Sequence, residues 1–301
     1  MNFYKKIIGS PKLRQRILTW FRFVPDEQMV KLQYRIKCGR KLNLSNPQRY
    51  SEKIQWYKLN YRNDLMPVCA DKFAVREYVK SRGMEHLLNE LYAVYDTPEE
   101  IRWAELPEGF IMKATHGSGK NKVVTDKSQT SLEELQSIAR EWLRNPGYSA
   151  GREWGYTDIK PKIIFEKLLP RDERNDLPDY KFFCFDGKVY CLYVMIDYTD
   201  NRDNGKVGFF DRSFRQLPCR RVEYHALTEQ IEKPKNFEQM IQYAETLAQG
   251  FPHVRMDFYN IDGRTVFGEM TFYHASGYTL FEPDEFDFEM GKQFVLPAKQ
   301  Q

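Results

Sequence analysis

The sequence predicts an α+β chain built on antiparallel hairpins, and three observations carry that prediction. Two Asp-Gly dipeptides, Asp186-Gly187 and Asp262-Gly263, each stand between stretches rich in β-branched and aromatic residues, which is the signal of a tight hairpin. Segments with apolar residues at helical spacing lie before and between those hairpins. With 301 residues, 42% hydrophobic and 15% aromatic, the chain can bury a large core as one large domain or two modest ones.

The elements follow in order. Residues 1 to about 62 read as helices, with Ile17, Trp20 and Phe21, then Met29, Leu32 and Ile36, as their apolar faces. Asn46-Pro47 punctuates before a helix opening at Ser51. Asp71 caps a helix running to Val79, and Gly83 stops it. Residues 109–113 form a strand, and Val123-Val124 begins its return. Ser131 to Leu143 is a helix closed by Asn145-Pro146-Gly147. Residues 162–166 form a short buried strand leading into Lys167-Leu-Leu-Pro170, and 171–179 is a charged loop. The two hairpins span 179–198 and 253–273, with a helix from Phe237 to Gln249 between them. The acidic run from Glu282 to Glu289 reads as a solvated segment.

Composition narrows the functional classes. No apolar run of about 18 residues exists, and Ile7-Ile8 meets Gly9-Ser10-Pro11 at once, too short a core for a secretory signal. Five cysteines without C-x-x-C spacing suggest a reduced cytosolic protein without structural zinc. Cys184 and Cys191 read as buried hydrophobes rather than a redox pair. Residues 1–62 hold 15 Lys and Arg against 3 Asp and Glu, net +12, whereas the other 239 residues carry −8. That basic segment is either a solvated helical face or an attachment surface for anionic membrane lipid or a polyanionic glycan. No nucleic-acid recognition motif accompanies it. The expected location is the cytoplasm, with a peripheral position at the inner membrane face open through this segment.

The stretch Phe110-Ile-Met-Lys-Ala-Thr-His-Gly-Ser-Gly-Lys-Asn121 imitates a phosphate loop. A Walker A motif needs glycine where Ala114 stands and a hydroxyl where Asn121 stands, so both tests fail. What remains is a strand ending in Lys113 and a Gly117-Ser118-Gly119 tip able to offer backbone N–H groups to phosphates, with Lys120 a bystander in the P-loop sense. An ordinary exposed strand end is the plainer reading of Lys113 alone.

The second hairpin carries more chemistry. Asn260-Ile-Asp-Gly263 suits a three-residue loop with a bulge, which sets Asn260 against Arg264, Arg255 against Glu269 and Asp257 against Phe267. Alternation then gathers Arg255, Asp257, Glu269 and Thr271 on one face, opposite Val254, Met256, Phe258, Val266, Met270 and Phe272. Two carboxylates at a diagonal roughly 5–8 Å apart repel unless a cation lies between them, and such a pair suits Mg²⁺ bridging nucleotide phosphates. A surface ion pair of Arg255 with Glu269 is the alternative. His116 and His274 flank this region as proton-transfer candidates or as satisfied loop residues.

Taken in order, Asp71-Lys72, Phe110-Ile-Met-Lys113 with His116-Gly-Ser-Gly119, Ile163-Ile-Phe-Glu166-Lys-Leu, Asp179-Tyr-Lys181, Arg255-Met-Asp257 and Gly268-Glu269-Met-Thr271 resemble the ATP-grasp superfamily. The closest branch is the TupA-like one, linked to cell-surface polysaccharide biosynthesis. The resemblance covers roughly residues 45 to 290 and implies two α+β subdomains gripping ATP, here 66–165 and 166–301 after a basic helical segment, 1–65. It implies that Lys72 and Lys113 contact phosphates beneath the Gly117-Ser118-Gly119 lid and that Glu166 meets the ribose. The Lys167-Leu168 backbone would read adenine, and Lys181 would reach the phosphates. Asp257, Glu269 and Thr271 would hold Mg²⁺, and Arg255 would steady the transferred phosphoryl group or oxyanion, with Lys181 and His116 assisting. Thr271 replaces the Asn that many ATP-grasp ligases carry. His274, Ser276 and Gly277 occupy the place of a substrate-carboxylate loop with different chemistry.

The leading expectation is a carboxylate–amine ligase acting on a glycan acid or amino acid through an acyl phosphate. A kinase for a sugar hydroxyl, a glycosyltransferase and a non-enzymatic membrane adaptor are the alternatives. The sequence has no Asp-x-Asp of the kind metal-dependent nucleotide-sugar enzymes often carry.

Overall fold

A computed structural model describes residues 20–144 and 151–299. Ile17 and the Asn145-Pro146-Gly147 helix stop lie outside the described residues.

Helix α1 (Asp26–Cys38) buries Met29, Val30, Gln33, Tyr34 and Cys38. The predicted stripe was rotated: Leu32 and Ile36 are 52% and 42% exposed. Polar anchors decide the rotation, because Tyr34 bonds the Ser51 hydroxyl at 2.8 Å and Gln33 accepts from Tyr278 at 2.7 Å. Helix α2 (Tyr50–Asn60) follows, its Glu52 carboxylate accepting the Gln48 and Arg49 N–H groups. A short helix α3 (Leu65–Ala70) went unpredicted. The predicted Asp71 helix is α4 (Val75–Ser81), and Asp71 caps the intervening turn through the N–H groups of Phe73 and Ala74.

Four strands form a first antiparallel sheet in the order β1 (Leu91–Tyr95), β4 (Ile163–Lys167), β2 (Phe110–Ala114), β3 (Asn121–Val124). On β2 the alternation is clean. Phe110, Met112 and Ala114 pack with Ile163 and Phe165 of β4 and with Leu135 and Ala139 of helix α5 (Leu132–Leu143), which leaves Lys113 on the other face. The α5 cap is Ser131, which accepts from the Glu134 N–H.

A second sheet runs β11 (Arg264–Thr271), β10 (His253–Ile261), β5 (Asp179–Phe185), β6 (Lys188–Ile196), β7 (Lys206–Asp211), β9 (His225–Ala226). Only the β7–β9 edge is parallel. Helix α6 (Phe237–Ala248) covers its core face with Met240, Ala244 and Leu247, against Phe182, Val254 and Met256 among others. Cys184 and Cys191 lie buried in this core as free thiols.

Both hairpins turn on two residues, Asp186-Gly187 and Asp262-Gly263, all with φ between 47° and 85°. The three-residue loop expected at Asn260 is therefore corrected to two, which pairs Ile261 with Arg264 and Phe258 with Phe267. Continued, that register would have set Asp257 against Gly268 and turned Glu269 away. A bulge at Gly268 restores the phase, so Asp257 faces Glu269 directly and Arg255 faces Thr271. A Cβ at Gly268 would lie 2.9 Å from the Asp257 carbonyl, so glycine lets the bulge close.

The acidic run is solvated only in part: Glu282, Glu285 and Glu289 are exposed, but the segment is docked and Asp287 is buried. Strand β12 (Phe281–Glu282) pairs with β8 (Arg220–Arg221), and helix α7 (Glu285–Gln293) docks on α2. Asp287, 1% exposed, accepts both the N–H and the hydroxyl of Ser51, while Asp284 pairs with Arg40 and Arg49.

Candidate functional site

A cavity of about 700 Å³ opens between the two sheets. From the first sheet side it is lined by Lys72, Lys113, His116, Gly117, Ser118, Gly119 and Glu166. From the second it is lined by Lys181, Arg255, Asp257, Glu269, Thr271, His274 and Ser276. Three predicted residues fall outside it. The Lys167 N–H donates to the Glu90 carbonyl at 2.9 Å and its own carbonyl accepts from the Asn89 amide at 2.8 Å, so this backbone is already committed. Leu168 follows it outside the lining. The Gly277 carbonyl is taken by Gln55 at 2.9 Å.

Arg255 is the hub. Its Nε and Nη2 donate to the two Asp257 oxygens, both at 2.7 Å, in the bidentate fork that suits guanidinium to carboxylate. Nη2 also reaches Thr271 Oγ1 at 3.0 Å and Glu269 at 3.4 Å. The surface pair read from the sequence is thus the weaker half of a buried network. Lys181 closes it from β5, between Asp179 and Asp257.

The charges settle which protons stay. Burial alone would lower the Lys181 ammonium, but Asp179 and Asp257 outweigh it and hold it well above its ordinary value. Burial raises Asp179 to about 6 against the pull of Lys181, with Asp257 adding repulsion. Burial acts the same way on Glu269, yet Lys72, Lys181 and Arg255 together bring it down to about 2. Glu269 is therefore ionised, and its side chain is 40% exposed to the cavity.

A guanidinium can only donate, so the 2.6 Å contact from Arg255 Nη1 makes His274 Nδ1 an acceptor and puts the ring proton on Nε2. Burial, Arg221 and Arg255 keep that ring neutral. Its Nδ1 is not open to accept a substrate proton, so His274 holds Arg255. His116 instead meets Lys120 at 2.6 Å. Lys120 lines the cavity as well, and burial, with Lys72 nearby, lowers it to about 8.

On the opposite wall Lys113 and Arg76 hold Glu166, at 2.7 and 3.4 Å. Lys72 donates to the Gly117 carbonyl at 2.7 Å, tying the turn before α4 to a tip whose two glycines have φ of 72° and 75°. Sequence reasoning assigned no role to Arg76, Asp179 or Arg221. Asp179 was legible, because Asp179-x-Lys181 on a strand shares one face.

The residues fit a hard divalent cation held together with phosphates. Asp257 and Glu269 bring two carboxylates opposite each other on a polar cavity; Glu269 is open to it, whereas Asp257 would give an oxygen to a cation in exchange for part of its contact with Arg255 and Lys181. The Thr271 hydroxyl is spent on Arg255 and Glu269. Among the described residues no group of three or more His, Cys, Asp and Glu is arranged to hold a metal ion, so a cation at this pair would need further oxygens from the phosphates. Seven cationic side chains against five carboxylates line the cavity, an excess that favours a polyanion.

The model of the TupA-like ATP-grasp family matches residues 52–295. The chain belongs to that family. No curated protein matches the sequence. Among solved structures, D-alanine–D-alanine ligase from Helicobacter pylori is 13% identical with a TM-score of 0.46, covering 84% of this chain and 68% of that one. The corresponding ligase from Bacillus anthracis is 16% identical with a TM-score of 0.39, covering 73% and 58%. The ATP-grasp ligase PsnB, solved with its minimal precursor, Mg and ADP, is 15% identical with a TM-score of 0.37, covering 74% and 57%. The chain spans less than two thirds of the length of the latter two. Within the family frame, the Arg255-x-Asp257 and Gly268-Glu269 pieces meet at the hairpin bulge.

One further anchor shapes the site. Ala275, Ser276 and Gly277 are all left-handed, with φ of 46°, 55° and 70°. Lys58 holds them, donating to the Ser276 carbonyl at 2.9 Å and the Gly151 carbonyl at 2.7 Å. It has no carboxylate partner within ion-pair distance among the described residues, and burial lowers it from 10.5 to about 7. The unfolded chain keeps that proton to about pH 10, whereas the folded chain releases it near 7, so stability rises with pH between those values. Lys58→Met should remove a slope of at most about 1.4 kcal/mol per pH unit. Urea unfolding at pH 6.5 to 9.5 checks it, and parallel curves for the two proteins would refute it.

Proposed function

We propose that the protein is an ATP- and Mg²⁺-dependent carboxylate–amine ligase serving bacterial cell-surface polysaccharide biosynthesis from the cytoplasm. Its acid substrate is a glycan acid or an amino acid. The observation that carries this reading is Asp257 facing Glu269 across one ladder, both neutralised by Arg255 and lysines in a cavity with cationic excess. An oxygen of the substrate carboxylate attacks the γ-phosphorus and the bond to ADP breaks. The amine nitrogen then displaces phosphate and loses its proton.

Asp257 and Glu269 would hold the metal, which when bound neutralises phosphate charge. Lys72, Lys113 and Lys181 supply further positive charge, so the barrier falls through positioning and electrostatics. Glu166, steered by Lys113 and Arg76, would accept from a sugar hydroxyl. Arg255 stays protonated and rigid, held by Asp257 and His274. Residues 1–62, with their positive charge, would draw the enzyme to an anionic lipid surface or glycan.

Incubation with Mg·ATP, panels of glycan acids and amino acids, and hydroxylamine should yield ADP and a hydroxamate. A phosphorylated product with no hydroxamate would instead favour the kinase reading that Thr271 leaves open.

A further inference from the structure

Arg221 lies on β8, within the excursion from 212 to 236 that separates β7 from α6, and lines the same cavity. It is 6% exposed. Nη1 reaches the Tyr193 hydroxyl at 3.3 Å, and the nearest carboxylate, Glu223, is 3.7 Å from Nη2. The Nε–H is buried without a hydrogen-bond partner. The rings of Tyr224 and Tyr193 stand 4.7 and 5.7 Å from its Cζ. Arg255 approaches that same Tyr193 ring, at 5.9 Å.

The two arginines therefore share one tyrosine and one cavity but differ in what satisfies them. Arg255 has Asp257 in a bidentate fork, whereas Arg221 has a phenol, a distant carboxylate and an Nε–H with no hydrogen-bond partner. A buried guanidinium with an orphan donor is costly unless an anion completes it, and its Nε–Nη2 edge matches a planar carboxylate. The tyrosines present a polar, aromatic wall beside it.

We infer that Arg221 is a subsite for a second carboxylate on the acid substrate, about one tyrosine ring from the carboxylate that reacts beside Arg255. This rests on the ligase reading and deepens it: the acid substrate is a diacid. Tyr193 is a positioning residue between the two arginines.

The test uses full-length protein carrying ¹⁵N-arginine and saturated with Mg·AMP-PNP. It is titrated with glutarate and D-glucarate, and with their single-acid counterparts glutaramate and D-gluconate. The wild type should bind a diacid at least about tenfold more tightly than its counterpart, as one charge-assisted fork provides. The Nε–H resonance that Arg221→Gln removes should move with the diacid. Arg221→Gln should bring diacid and counterpart within twofold while AMP-PNP affinity holds within twofold. A preference that survives in Arg221→Gln, is missing from the wild type, or leaves that resonance unmoved overturns the subsite. If Arg221→Gln fails to fold, Arg221→Lys and Tyr193→Phe carry the same comparison, both expected to weaken the preference. Failure of the wild type to bind Mg·AMP-PNP would strike the ligase reading instead, and a diacid titration without nucleotide still reads Arg221.

Discussion

Asp257→Asn is expected to lower Mg·ATP-dependent ADP release by at least about 10²–10³-fold and to destabilise the protein by about 3–5 kcal/mol. The two losses have one cause. Asp257 is 2% exposed and is the shared counter-charge of Arg255 and Lys181, so neutralising it leaves buried Lys181 with Asp179 alone and buried Arg255 with only the 3.4 Å contact to Glu269. Glu269→Gln separates the effects. Its side chain is 40% exposed and meets Arg255 at 3.4 Å, so activity should fall comparably while stability changes by about 1 kcal/mol or less. Urea unfolding and ADP release, measured on both variants, check the pair. Full activity in either variant would remove the carboxylate pair from the chemistry.

Gly291→Ala is expected to destabilise by about 2 kcal/mol or more, against local propensity. Alanine in a helix interior is worth up to about 1 kcal/mol over glycine, so sequence alone forecasts a gain. The added Cβ, however, would lie 2.1 Å from the Gln48 carbonyl and 2.9 Å from the Tyr50 N–H nitrogen. Both are backbone atoms at the start of α2, and relieving the overlap means moving α7, which also draws Asp287 from Ser51. A melting temperature at or above that of the wild type would show that α7 does not dock this way.

How far the site was legible follows the range of the forces involved. Lys113 and the 116–119 tip were readable because strand alternation and glycine turns are local. Asp257 and Glu269 came out on one face by two errors that cancelled: a loop one residue too long and a bulge unseen at Gly268. No periodicity reveals that bulge, since what demands it is the Asp257 carbonyl on the neighbouring strand. Arg221 was invisible for a plainer reason. Nothing in its local pattern says that β8 will pair with β12 and carry it to Tyr193, 28 positions back in the chain.

By itself the sequence determined what short-range rules control: the hairpins with their Asp-Gly turns, the capped helix at Ser131, the failed Walker motif and the identities of the charged side chains. Tertiary structure decided which of those charges are buried and which partners they take. It turned α1 onto Val30 and Tyr34, drew Asp287 inward, left the Lys167 backbone outside the cavity and made Arg255 the hub. Burying a charge is tolerated only where an opposite charge or donor arrives from another element, and that arrival depends on packing rather than on neighbours in the chain.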